Sequence, residues 1–91
     1  MIRSFRSKPL KRFAATGDIR RLPVPNVDRV RLILATLDAA ATADALNLPG
    51  FGFHGLQGQP KRYAVTVTAN YRLTYGFDGE DAIDVDLEDY H

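Results

Sequence analysis

The stretch Tyr63-Ala64-Val65-Thr66-Val67-Thr68-Ala69-Asn70-Tyr71-Arg72-Leu73-Thr74-Tyr75-Gly76-Phe77 decides the fold of this 91-residue chain. Tyr63, Val65 and Val67 share one side of an extended strand, with Ala64, Thr66 and Thr68 on the other. Beyond Ala69-Asn70, Tyr71, Leu73, Tyr75 and Phe77 line one side while Arg72 and Thr74 line the other. Two period-two runs around a short break read as a hairpin, and Asn70 tolerates the left-handed backbone that such turns can require. Downstream, Asp78-Gly79-Glu80-Asp81 is a second turn. Ile83-Asp84-Val85-Asp86-Leu87-Glu88 then alternates again, with a strand starting near Ala82 and ending in Asp89-Tyr90-His91. Upstream, residues 53–56 form a candidate short strand containing His54.

The first half of the chain has a different period. Ser7 is placed to cap a helix beginning at Lys8, with Pro9 in its first turn and Gly17 as its stop. Leu10, Phe13 and Ala14 fall on its apolar face. Leu22-Pro23-Val24-Pro25 is a stiff connector that cannot be helix interior. Asn26 then caps the longest periodic stretch, in which Val27, Val30, Ile33, Leu34, Leu37 and Ala40 recur at helical spacing. A short turn after Thr42 leads into the loop Leu48-Pro49-Gly50-Phe51-Gly52. Residues 2–6 alternate weakly and form a candidate strand. The layout is α+β: two N-terminal helices packed on one face of a small antiparallel sheet, the other face left open. One domain spans residues 1–91.

Composition bounds the function. The chain has no cysteine, which excludes disulfides and thiolate metal sites and suits a reducing cytoplasm. No apolar run approaches the roughly 20 residues of a membrane span, and the N-terminus lacks a signal-peptide core. Net charge is +1, but residues 1–31 hold nine basic side chains against Asp18 and Asp28, and the remainder holds three basic against nine acidic. Such asymmetry marks either a solvated helix surface or a footprint for nucleic acid or an acidic partner. By parity, Arg72, Thr66 and Thr74 lie on the open sheet face. Arg72 is either a salt-bridge partner for Asp84 or Asp86, or a clamp for an anion. Two widely spaced histidines without cysteine make a poor zinc site, so no metal and no cofactor is expected.

In order and spacing, several segments resemble the HigB (host-inhibition-of-growth) toxins of bacterial type II toxin–antitoxin modules, in the RelE superfamily. They are Ile2-Arg3-Ser4-Phe5, Val30-Arg31-Leu32-Ile33-Leu34-Ala35-Thr36-Leu37-Asp38, Leu46-Asn47-Leu48-Pro49-Gly50, Phe53-His54-Gly55-Leu56-Gln57-Gly58, Asn70-Tyr71-Arg72-Leu73-Thr74-Tyr75 and Val85-Asp86-Leu87-Glu88-Asp89-Tyr90-His91. The resemblance implies a RelE/ParE-like fold and a ribosome-dependent mRNA endonuclease that cuts in the ribosomal A site. It implies a HigA-type helix-turn-helix antitoxin as partner, contact with operator DNA only through that antitoxin, and a cytoplasmic location. Carried over by position, the catalytic residues are His54, Arg72, Asp89, Tyr90 and His91, with Asn70 close by.

Those residue types suit metal-independent attack of an RNA 2′-hydroxyl on its own phosphate. Imidazoles titrate near neutrality and so suit proton transfer. A guanidinium offers several planar donors to an anionic transition state. Asp89 suits orienting a histidine or moving a proton, and Tyr90 suits stacking on a base. Ribosomal RNA contact is assigned to Arg3, Lys8, Lys11 and Arg12, and RNA contact near the site to Lys61 and Arg62. The chain departs from its relatives at Leu56-Gln57-Gly58, where these toxins commonly have Leu-Lys-Gly, and at Thr66, where a basic residue often sits. Fewer cations imply weaker phosphate binding, hence a slow toxin or one leaning on Lys61 and Arg62. Two rivals remain: a ParE-like gyrase inhibitor without catalysis, and a weakened toxin serving only as antitoxin and co-repressor partner.

Overall fold

The helix signals in the sequence act as local switches. The computed structural model describes residues 1–90; His91, expected above to be catalytic, lies outside the described residues. Helix α1 spans Lys8–Thr16, and the Ser7 hydroxyl accepts from the Leu10 amide at 3.1 Å. Gly17 ends it with φ 77°, donating its N–H to the Phe13 carbonyl at 2.8 Å, a backbone conformation that glycine reaches without steric cost. Helix α2 spans Val27–Ala39, capped by the Asn26 side chain, which accepts from the Arg29 amide. Leu10 and Phe13 of α1 and Val30, Ile33, Leu34 and Leu37 of α2 are buried. Ala14, expected on the apolar face, is exposed. The connection after Thr42 is a 3₁₀ turn, Ala43–Leu46, rather than a plain turn, and it buries Leu46 completely.

Four strands follow: β1 (His54–Gly55), β2 (Tyr63–Thr66), β3 (Tyr71–Asp78) and β4 (Asp81–Asp89). They form an antiparallel sheet in the order β1-β2-β3-β4, the α+β arrangement expected of a RelE-like fold. Val65, Leu73, Tyr75, Ala82 and Val85 join the buried helix residues in one core. Tyr63 pairs with Tyr75, and Phe53, Tyr63, Tyr75 and Phe77 make a row of ring contacts along that face. The Tyr75 hydroxyl donates to the Ala43 carbonyl at 2.8 Å, tying the sheet to the 3₁₀ turn. Burial, with smaller contributions from Tyr63 and Asp44, raises the Tyr75 phenol well above its ordinary range, so it remains a donor.

The 67–70 hairpin is closed differently from expectation. The amides of Val67 and Thr68 both donate to the Tyr71 carbonyl, and the Thr68 hydroxyl accepts from the amides of Asn70 and Tyr71. Asn70 does not take the left-handed conformation; the one non-glycine residue with positive φ among the described residues is Asp84, at 51°.

Asp84 marks the largest departure from the sequence pattern. Thr74 opposes Asp86, but Gly76 opposes Ile83, so Asp84 and Val85 together oppose Tyr75. This β-bulge breaks the alternation that Ile83-Asp84-Val85-Asp86-Leu87-Glu88 shows as a sequence. Ile83 shares its side of the sheet with Gly76, while Ala82 and Val85 are both buried in the core. Residues 2–6 run parallel to β4 through bridges at Ile2–Ala82 and Phe5–Val85, not as a continuous strand. The bulge receives this segment: the Ser4 hydroxyl accepts from the Asp84 amide at 2.9 Å, and the Ser4 carbonyl accepts from Val85 at 3.1 Å. Asp38, at the end of α2, accepts from the Ile2 amide at 2.9 Å.

Leu73 is fully buried at the centre of β3. Leu73→Ala is expected to lower the unfolding free energy by about 3 kcal/mol, the cost usual for a leucine that leaves a cavity behind. A urea titration of both proteins measures it.

Candidate active site

Cross-strand register assigns the open face. His54 pairs with Ala64, Ala64 with Thr74 and Thr74 with Asp86; beside that row, Thr66 pairs with Arg72 and Arg72 with Glu88. Paired residues in a sheet point to the same side, so these side chains, and Tyr90 two residues beyond Glu88, share the face away from the helices. The expected positions of Arg72, Thr66 and Thr74 hold. That face is not bare, however: Ala64 and Thr74 are fully buried. Arg62 reaches over Thr74, with its Nη2 donating to the Thr74 hydroxyl at 3.0 Å and to the Asp84 carbonyl at 2.8 Å. The Thr74 hydroxyl donates onward to Glu88 Oε2 at 2.5 Å. Burial, and then repulsion from Arg6, lowers the Arg62 pKa from the ordinary guanidinium value, against the pull of Glu88, Asp84 and Asp86.

Beside Arg62 lies a cleft of about 380 Å³ between residues 56–60 and the end of β4, lined by Arg6, Gln57, Gln59, Arg62, Glu88 and Tyr90 among others. The Tyr90 amide donates to the Asn70 carbonyl at 2.5 Å, so the chain stays paired past the end of the strand. The Arg72 guanidinium carbon lies 5.5 Å from the Tyr90 ring centroid, within cation–π range. Arg72 Nη1 donates to the Thr68 carbonyl at 2.8 Å and to those of Tyr71 and Ala69 at 3.2 and 3.4 Å. The salt bridge to Asp84 or Asp86 considered from the sequence is therefore not made. Arg72 instead braces the hairpin and backs the tyrosine.

The remaining expected site residues spread outward. His54 is exposed on the edge strand, its Nδ1 3.1 Å from the Gly52 carbonyl. That contact favours the tautomer protonated at Nδ1, which leaves Nε2 as the acceptor. His54 does not line the cleft; strand spacing and rise put its backbone roughly 12 Å from that of Arg72. Asp89 pairs with Tyr71 and therefore points away from the Arg72 side. This is the alternation that separates it from Tyr90. Lys61 sits over the reverse side of β1: its Nζ donates to the Leu56 carbonyl at 3.0 Å and lies 5.8 Å from the Tyr63 ring. Of the adjacent pair Lys61 and Arg62, only Arg62 enters the cleft.

The expected ribosome-contact residues divide in the same way. Arg3 is held by Asp78 at 2.5 Å and Asp81 at 3.5 Å, at the far end of β4, about 26 Å of extended strand from Tyr90. Arg12 donates to Asp18, which Arg20 also grips. Hydrogen bonds from Arg20 and then Arg12 hold the Asp18 carboxyl well below the usual carboxylate range. Lys8, Arg12, Arg20 and Arg21 line a second cleft of about 620 Å³ around Pro9 and Asp18. Arg29 donates to the Thr66 and Gly50 carbonyls and packs 5.5 Å from the Phe51 ring centroid, a structural use of its charge. Sequence reasoning missed Arg6 and Glu88 as cleft residues, Thr74 as the buried hydroxyl beneath them, and Arg20 and Arg21 as basic-patch residues. The available signal was Arg62 beside the expected site and the position of Glu88 two residues before Tyr90.

Among the described residues, no group of three or more histidine, aspartate or glutamate side chains is placed to hold a metal ion, and no helix is long and apolar enough to cross a membrane. What remains is a small antiparallel sheet with helices on one face and arginines, a tyrosine and a carboxylate on the other. The family described as RelE-like toxin of type II toxin–antitoxin system HigB matches residues 3–91. The chain belongs to that family, whose toxins are partnered by an antitoxin. Endoribonuclease HigB of Proteus vulgaris is 37% identical over 92 aligned positions, covering the whole of both chains.

Gly52 fixes the placement of His54. Its φ is 61°, and a Cβ there would lie 2.6 Å from the Thr66 hydroxyl. Gly52→Ala is expected to cost about 1–3 kcal/mol of stability, as left-handed strain typically does, and to release His54 Nδ1 from its carbonyl. Denaturant titration reads the first effect and the chemical shifts of the His54 ring the second.

Proposed function

We propose that this protein is a ribosome-dependent mRNA endoribonuclease that acts without metal, cuts translated mRNA in the ribosomal A site and thereby stops growth. The observation that carries this reading is the end-to-end match to Endoribonuclease HigB, gaps aside. The open face supports it with a cleft holding guanidinium groups, an aromatic wall and a carboxylate. Arg72 and Tyr90 act as one unit, the ring stacking on a base and the guanidinium backing it. Arg62 faces the phosphodiester. His54 and His91 are the imidazoles for proton transfer, one of them protonating the departing 5′-oxygen, Asp89 orients a histidine from the far side of the strand, and Asn70 holds the terminal segment through its carbonyl.

On this reading the partner is a HigA-type helix-turn-helix antitoxin, operator DNA is reached only through it, and the site of action is the cytoplasm, where ribosomes translate. The basic patch on α1 and the loop after it meets ribosomal RNA. Lys8, Lys11 and Arg21 form no ion pair among the described residues and carry the contact, while Arg12 and Arg20 share Asp18. Arg3, bound by two aspartates, contributes least. Gln57 in place of a lysine leaves the cleft short of one cation, so cutting is slower than in lysine-bearing relatives.

In a purified translation system with antitoxin-free protein, 5′-end mapping is expected to show cuts at fixed codon positions only when ribosomes are present. His54→Ala is expected to lower the cleavage rate by about 10²–10⁴, the usual contribution of proton transfer. Absence of cuts with ribosome binding intact would favour the weakened-toxin reading; damaged DNA with translation unaffected would favour the gyrase-inhibitor reading. Reversing Lys8, Lys11 and Arg21 to glutamate is expected to abolish ribosome co-sedimentation while antitoxin capture persists. Loss of antitoxin capture instead would assign the patch to that partner.

A further inference from the structure

The cleft has one carboxylate, Glu88, among its lining residues, and the setting of that carboxylate is unlike that of a counter-ion. Glu88 is the register partner of Arg72 and lies near Arg62, yet it forms no ion pair among the described residues. Its Oε2 takes a hydrogen bond from Thr74, a hydroxyl completely buried beneath it. Thr74 is itself held by Arg62, whose Nη2 is fixed on the Asp84 carbonyl. A chain of donors therefore runs from Arg62 through Thr74 to Glu88 and sets the direction of the carboxylate from below. Its other neighbours are accounted for: Arg6 approaches Asp84 at 4.0 Å, Asp86 accepts from the Leu87 amide at 2.9 Å, and Arg72 is committed to the hairpin carbonyls and the Tyr90 ring.

Of the proton-transfer groups expected from the sequence, His91 lies outside the described residues, and the two that are described are placed elsewhere. His54 stands on the edge strand outside the cleft, and Asp89 points to the other side of the sheet. A positioned carboxylate with no ion pair among the described residues, next to guanidinium groups that can hold a phosphodiester, is suited to accept a proton from a hydroxyl lying between them.

Resting on the endoribonuclease reading above, we propose that Glu88 is the proton acceptor for the RNA 2′-hydroxyl and Thr74 the residue that positions it. The 2′-oxygen passes its proton to the Glu88 carboxylate and forms a bond to phosphorus. The bond from phosphorus to the 5′-oxygen breaks, that oxygen takes a proton from the general acid among the histidines, and a 2′,3′-cyclic phosphate remains. Arg62 and Arg6 face the added negative charge on the phosphoryl oxygens.

The test uses ribosomes programmed with a defined mRNA and the full-length toxin freed from its antitoxin, under single-turnover conditions. Glu88→Gln keeps an acceptor for Thr74 and is expected to cut at least about 100-fold more slowly, a loss in the range of general-base catalysis, with ribosome binding and antitoxin capture retained. Added formate, a carboxylate small enough to enter the vacated space, is expected to restore part of the rate of Glu88→Ala and to leave the wild type unchanged. A Glu88→Gln protein that cuts as fast as wild type overturns the proposal, as does a Glu88→Ala defect that formate does not relieve. Wild-type protein that cuts nothing removes the endoribonuclease reading along with this step. A cutting wild type beside an equally active Glu88→Gln protein removes this step alone.

Discussion

The extra residue in β4 opposite Tyr75 controls where the functional side chains point. With Asp84 and Val85 sharing one partner, the later register places Asp86 against Thr74 and Glu88 against Arg72. Had the pairing between Ile83 and Gly76 continued without the bulge, Leu87 would oppose Arg72 on the open face and Glu88 would turn toward the core. A one-residue slip reverses every side chain beyond it. The bulge thus keeps Val85 and Leu87 with the apolar core while placing Glu88 and Tyr90 with the arginines. Its strained point, Asp84 at φ 51°, is held from both sides: Ser4 binds its amide and Arg62 its carbonyl. The N-terminal segment and the site are therefore braced on the same residue.

Much of the fold was legible because its signals are local. Ser7, Gly17 and Asn26 act within one helical turn of their own positions, and the stripe from Val30 to Leu37 depends only on helical period. The hairpins follow from period two in the same way. The bulge was hidden because the residues around it alternate without a flaw; only the partner strand shows that one of them is extra. Thr74 reads as an exposed threonine until Arg62, twelve positions away, is seen lying across it. Neighbouring Lys61 and Arg62 looked equivalent as cations, and the pairing of Gly55 with Tyr63 separates them, because it sends Lys61 to the aromatic side of the sheet. The Arg72–Tyr90 contact was within reach of the sequence only through the family resemblance, since it joins two strand ends.

The charge asymmetry shows why formal charge and available charge differ. Of the basic residues in the first 31, Arg3 is occupied by Asp78 and Asp81, Arg12 and Arg20 by Asp18, and Arg31 by Asp28. Exposed pairs of this kind contribute little to stability and are screened by salt. They are weak enough for a polyanion to displace the carboxylate, so Asp18 keeps two guanidinium groups ordered without consuming their charge permanently. The pairs on Arg3 differ in effect, since they fasten the first residues to the β3–β4 turn, where release would loosen the sheet edge.

The spacing of the site gives the proposed dependence on the ribosome a physical basis. Arg62, Glu88 and Tyr90 line one cleft, but His54 stands two strands from β3, with open surface around it. A flexible RNA meeting such a surface alone must surrender its own conformational freedom to bring a 2′-oxygen, a phosphorus and a leaving oxygen into line. Prior alignment of reacting groups can account for roughly 7–11 kcal/mol of a barrier, and a shallow face of this size offers few contacts with which to impose it. On the proposed function, an mRNA already held in the decoding site arrives with much of that order in place. The toxin then needs to contribute only correctly placed charge and proton-transfer groups, which a four-stranded sheet with one bulge is large enough to hold.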